Sequence, residues 1–210
     1  MDKRKIILIG GGGHAKACID VISTNPNLNI LGYLDRIKTL NDSYEIDYLG
    51  PDADAYEYIG KAEFLITIGH LGDSSIRRNI YQDLKSKNAK FATVFATNAI
   101  FSKKSTVGEG TIIMHSVILQ ADTQIGNNCI INDRVLIEHD SFIGNQCHIS
   151  TGAIINGGVN IGNDVFIGSG SIIRNGISIG DNCKIGMGAV VTKNVNNGET
   201  VFGNPAKIKL

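Results

Sequence analysis

The stretch IGNNCIINDRVLIEHDSFIGNQCHIS, residues 125–150, decides the fold. Isoleucine stands at 125, 131, 137, 143 and 149, one residue in every six. The same spacing takes in Phe101, Val107, Ile113, Leu119, Ile155, Ile161, Ile167, Ile173, Ile179, Ile185 and Val191, and all sixteen positions are apolar. A period of six is neither the roughly 3.6 residues of a helical turn nor the plain alternation of a strand. It is the repeat of a β-helix, in which each short strand ends in a corner and three strands close one triangular coil. A second column, two residues earlier, runs from Ser105 and Thr111 through Cys129, Ser141, Cys147 and Ala153 to Ala189 and Val195. These residues are small or β-branched, as a crowded interior corner requires. Glycine follows the apolar column at 108, 126, 144, 162 and 180, a spacing of one full coil. It is expected there because glycine adopts backbone angles that other residues resist.

Residues 1–97 have a different pattern. KIILIG (5–10), NILGYLD (29–35) and AEFLITIG (62–69) read as strands, with a short strand near FATVF. HAKACIDVISTN (14–25) and SSIRRNIYQDLKSKN (74–88) read as helices. Strands alternating with helices predict a small Rossmann-like parallel sheet. The expected organisation is an α/β domain over 1–97 and a β-helix over 98–210.

The composition narrows function. Twenty basic residues balance twenty acidic ones and tryptophan is absent. A neutral chain with few aromatics predicts no nucleic-acid or anionic-membrane partner. No apolar run approaches the roughly 20 residues of a membrane span, and MDKRKIILIG reads as a strand rather than a signal peptide, so a cytoplasmic protein is expected. Cys18, Cys129, Cys147 and Cys183 form no CxxC pair, and the last three fall in the small-residue column as packing residues.

The rows VGEGTI, IGNNCI, IGNDVFIGSGSI and IGDNCKIGMGAVV, closing with VFGNPAK, resemble the left-handed β-helix acyltransferases. With IGGGGHAK (9–16), the whole chain resembles the sialic acid O-acetyltransferase family, which includes bacterial nucleotide-aminosugar N-acetyltransferases. The resemblance implies a left-handed parallel β-helix, a homotrimer with active sites between subunits, and acetyl-CoA as co-substrate. It also implies a nucleotide-linked (UDP- or GDP-) 4-amino sugar as acceptor, for surface glycan synthesis, with no metal.

GGGGHA (10–15) follows a strand and opens a helix, and it matches G-x-G-x-x-A with Asp35 about 20 residues on. Such a loop cradles phosphate, so an NAD-dependent oxidoreductase is a rival reading. Only about four strands fit before residue 97, enough for one mononucleotide half. The resemblance assigns Gly12, Gly13, His14, Asp35, Arg36 and Gly69 to the nucleotide sugar. Arg36 stands where some members are acidic, which leaves UDP, GDP and dTDP open.

Acetyl transfer needs a base, and histidine suits that task near neutral pH. His139 lies two residues past Ile137, at a corner and pointing outward, between Glu138 and Asp140. A carboxylate that fixes one imidazole nitrogen raises basicity at the other, and the residues alone do not choose between Glu138 and Asp140. The resemblance selects Asp140. It also places Asn132 on the substrate, His148 at the acetyl or thioester end of coenzyme A, and Gly157, Ser169 and Met187 along the cofactor. His148 is read as outward, on a different face from His139. Direct transfer to an amine is the leading chemistry, and sialic-acid-type O-acetylation is second. The spacing of the histidines matches no zinc signature, although carbonic anhydrases of the same fold use histidines between subunits. A non-enzymatic sugar-nucleotide sensor or scaffold trimer is the remaining class.

Overall fold

The computed structural model describes residues 3–209. Four parallel strands, β1 (Arg4–Ile9), β2 (Leu28–Leu34), β3 (Tyr48–Gly50) and β4 (Glu63–Ile66), form a sheet in the order β3-β2-β1-β4. Helix α1 (Gly13–Ser23) links β1 to β2, and α2 (Ser75–Ser86) follows β4. Ile6 to Ile9 are buried without alternation because both faces of β1 are covered. Strand β3 escapes a reading of the sequence because its three residues YLG are half-buried and too short for a period. The segment FATVF also differs from expectation. Val94–Phe95 pairs with Ile112–Ile113, so this strand opens the coil and lies outside the first sheet.

From Val94 the chain winds as a left-handed parallel β-helix with three faces. From Val94–Phe95 to Ile172–Ile173, each two-residue strand pairs in parallel with the strand 18 residues on, as Leu136–Ile137 does with Ile154–Ile155. The register puts every apolar-column residue from Ile113 to Val191 inside the prism, at most 4% exposed. Each buried isoleucine contributes on the order of 2 kcal/mol of transfer free energy. Cys129, Cys147 and Cys183 are fully buried between coils and unpaired, as the small column predicts.

The coil-spaced glycines have a different cause from the one expected. Gly108, Gly126, Gly144, Gly162 and Gly180 are not in the left-handed region. A Cβ on Gly144 would lie 2.5 Å from the Gly162 carbonyl oxygen, so glycine is needed for close approach of stacked backbones. Beside them climbs a ladder of amide side chains. Asn127 accepts from the Glu109 N–H, Asn145 from that of Asn127, and Asn163 from that of Asn145. The left-handed angles fall instead two residues after each of these glycines and at the equivalent corners, at Ser116, Asp122, Asn128, Arg134, Asp140 and Gln146 among others. Asp and Asn tolerate that region better than other side chains.

Candidate active site

The carboxyl ends of the first sheet border a cavity of about 770 Å3 lined by Gly10, Gly12, Gly13, His14, Asp35, Arg36, Asp52 and the Thr67–Gly69 segment. Ile76, Asn79 and Ile80 close it from α2. The glycines divide by role. A Cβ on Gly11 would strike Thr39 Oγ1 at 2.1 Å and the Tyr33 ring at 2.6 Å, so that glycine packs the turn. Gly12 and Gly13 have nothing within 4 Å of where a Cβ would stand. Their bareness opens onto the cavity, where the N–H groups of the first turn of α1 favour an anion. Asp35 is already engaged: its carboxylate accepts from the Gly11 N–H (2.8 Å), the Arg36 N–H (2.7 Å) and Thr39 Oγ1 (3.1 Å). It therefore pins the glycine loop as well as bordering the cavity.

A second cavity of about 720 Å3 shares His14 and Gly69 with the first and continues onto the coil. Its wall includes His70, Leu71, Asn132, Asp133, His148 and Thr151. Here the structure departs from expectation. His148 leaves the prism outward, but the loop after β4 covers it to 6% exposure. Its Nδ1 bonds the His70 carbonyl oxygen at 2.7 Å, which makes Nδ1–H the donor and leaves Nε2 with a lone pair. The His70 and Phe166 rings pack against it at 5.4 and 5.3 Å. Burial lowers the pKa of His14 and His70 to about 3 and that of His148 to about 4, so all three are neutral near pH 7. His70 carried only a weak signal in the sequence, a place just beyond a strand end at Gly69. Asn79 and Ile80 carried none, because α2 reads as an ordinary amphipathic helix.

His139 lies on another edge of the prism, at the corner between Leu136–Ile137 and Phe142–Ile143. Its side chain is 61% exposed. Its Nδ1 meets Asp140 Oδ2 at 2.7 Å. Asp140 reaches it because its own φ is 58°, so the left-handed corner swings the carboxylate back along the chain. The hydrogen bond that His139 donates to Asp140 raises the pKa of His139, with the charges of Asp140 and Glu138 adding to it. With Nδ1–H donating to Asp140, Nε2 carries the free lone pair. The ring lies over Gly157, where a Cβ would stand 2.8 Å from both Nε2 and Cε1.

The remaining cofactor candidates fall on two edges. Gly157 shares the edge of His139 one coil later. Ser169 and Met187 share the edge of Thr151, with Ser169 bonded to Ser150 Oγ at 2.8 Å and Met187 81% exposed. One chain thus brings His14, Gly69, Asn132 and His148 around joined cavities, and holds His139, Asp140 and Gly157 apart from them. Among the described residues, no group of three or more His, Cys, Asp or Glu side chains is arranged to hold a metal ion.

The PglD N-terminal domain model matches residues 5–84, and two hexapeptide-repeat transferase models match 104–139 and 158–193. The UDP-N-acetylbacillosamine N-acetyltransferase of Bacillus subtilis (strain 168) is 32% identical over 115 residues, 53% of this chain. The match spans about half (51%) of that relative's length. The acetyltransferase domain of PglB from Neisseria gonorrhoeae FA1090 superposes with a TM-score of 0.91 at 26% identity, covering 99% of this chain and 100% of that one. That domain has also been solved with acetyl coenzyme A. PerB from Caulobacter crescentus, in complex with CoA and GDP-perosamine, superposes with a TM-score of 0.90 at 26% identity over 98% of this chain and 97% of that one.

Proposed function

We propose that the protein transfers the acetyl group of acetyl-CoA to the amine of a nucleotide-linked 4-amino sugar. The observation that carries this reading is the His139–Asp140 pair, an exposed imidazole whose tautomer is set by a carboxylate at 2.7 Å. The amine nitrogen attacks the thioester carbonyl, the C–N bond forms and His139 Nε2 takes the amine proton. The tetrahedral oxyanion then collapses, the C–S bond breaks and the coenzyme A thiolate leaves with the proton held by His139. Transfer is direct. The four cysteines are buried, and burial pushes the Cys18 thiol up to about 12, so none serves as an acyl carrier.

In this reading residues 1–97 bind the nucleotide sugar through Gly12, Gly13, His14, Asp35, Arg36 and Gly69, and residues 98–210 carry the chemistry. Asn132 contacts the sugar, His148 faces the acetyl end of coenzyme A, and Gly157, Ser169 and Met187 line its path. The separation of the His139 edge from the cavities supports a homotrimer in which one copy's base faces its neighbour's pocket. No helix among the described residues is long and apolar enough to cross a membrane, and four unpaired thiols suit the cytoplasm.

A thiol-release assay tests the activity, using acetyl-CoA with UDP-, GDP- and dTDP-linked 4-amino sugars and with sialic acid. Release with one of the amino sugars is expected. Release with sialic acid alone would make the protein an O-acetyltransferase, and no release with any acceptor would remove the activity.

A further inference from the structure

Among the described residues Arg77 is the largest fully buried side chain, 1% exposed, and no carboxylate there pairs with it. Its Nη1 donates to the carbonyls of Ile66 (2.5 Å) and Ile68 (2.7 Å), and its Nη2 donates to Asn128 O (3.1 Å) and Oδ1 (2.9 Å). Asn128 passes the chain of bonds to Gln146 at 2.6 Å. An unpaired buried charge is costly, and an apolar side chain of the same size would fill the space at lower cost. Simple packing of α2 on the coil therefore does not account for it.

The carbonyls that Arg77 holds do suggest a reason. Ile66 and Ile68 flank Thr67, and Thr67, Ile68 and Gly69 line the first cavity. Two residues later the His70 carbonyl fixes His148 in the second cavity. The guanidinium lies one residue beneath the wall that both cavities share, bolted on its other side to the coil. We infer that Arg77 is a positioning residue: it clamps the Thr67–His70 segment to the coil at Asn128, and so sets the nucleotide cavity at a fixed distance from the coil. Its unneutralised charge acts in the same direction. It helps keep His14, His70 and His148 neutral, and it lies behind a cavity suited to a diphosphate.

This inference rests on the first cavity being the nucleotide site. Calorimetric titration with UDP, GDP and dTDP, and separately with CoA, tests it on the wild type, Arg77→Met, Arg77→Lys and Arg78→Met. Arg78, on the same helix as Arg77, makes a partly buried ion pair with Asp164 of the coil and serves as the control for loss of a helix-to-coil link away from the cavities. For whichever diphosphate binds the wild type, Arg77→Met is expected to weaken affinity tenfold or more. Arg77→Lys should recover part of the loss, Arg78→Met should match the wild type, and CoA should bind all four within twofold. Equal weakening of diphosphate and CoA would mark Arg77 as a general structural prop and overturn the assignment, as would unchanged diphosphate binding. If Arg77→Met does not fold, Arg77→Lys and Asn128→Gly carry the comparison, since glycine suits the φ of 52° at Asn128 and removes the side-chain bonds to Arg77 and Gln146 while the backbone carbonyl still accepts from Arg77. A wild-type chain that binds none of the three diphosphates removes the nucleotide reading itself, and this assignment with it.

Discussion

At the scale of single residues, the proposed chemistry rests on one imidazole and its carboxylate. His139→Ala should lower turnover by about 10²–10⁴-fold, the usual worth of a general base, while nucleotide-sugar affinity stays near that of the wild type. Thiol release and calorimetry measure the two separately. Asp140→Asn has a signed consequence. Asp140 raises the His139 pKa, and the base works only when neutral, so wild-type activity climbs as pH rises through that pKa. Without the carboxylate the pKa falls, the acidic limb of the kcat/KM profile moves to lower pH, and the plateau drops because the tautomer is no longer held. A limb that stays in place would separate Asp140 from the base. The choice between Glu138 and Asp140 was not legible in the residues, since both flank His139 in an extended reading. The left-handed turn at Asp140 decides it, and a six-residue period carries no sign of backbone hand.

At the scale of elements, the coil depends on two kinds of glycine, which respond differently to substitution. Gly144→Ala would put a Cβ 2.5 Å from the Gly162 carbonyl oxygen, against backbone that is held above and below. A loss of about 1–3 kcal/mol is expected, the cost of overpacking, read as a lower urea midpoint. Gly152→Ala meets no atom within 4 Å but must hold a φ of 68°. Its cost is the smaller one, about 1 kcal/mol of left-handed strain. Equal losses would mean that coil spacing is not what Gly144 serves. The repeat itself was legible because burial alone sets its period, whereas Tyr48–Gly50 and the coil strand Val94–Phe95 were too short to carry one.

At the scale of the whole molecule, three neutral histidines lie where the α/β domain meets the coil. Their folded pKa values, about 3 for His14 and His70 and about 4 for His148, lie below the ordinary value of about 6.5. Below pH 6.5 the unfolded chain binds protons that the fold refuses. Stability is therefore complete above that pH and falls as pH drops toward 4. Each histidine accounts for at most about 2 kcal/mol of loss by pH 5. Urea titrations at pH 7 and pH 5 would show it, and His14→Gln with His70→Gln should flatten the dependence. The proposed trimer has its own test. Co-expressed His139→Ala and His148→Ala chains should regain activity that neither has alone, because some interfaces combine an intact base with an intact pocket. Mixed oligomers as inactive as their parents would place both histidines of a working site in one chain.

By itself the sequence determined the coil, its period, the inward column, the packing cysteines and the glycine loop between β1 and α1. All of these follow from local pattern and burial. Only the tertiary structure decided how the two parts meet. It turned His148 from an outward residue into one capped by the His70 carbonyl, engaged Asp35 with its own loop, and placed a buried arginine under the wall of both cavities. Those outcomes depend on contacts between residues up to 78 positions apart, such as His70 and His148, and no local period encodes them.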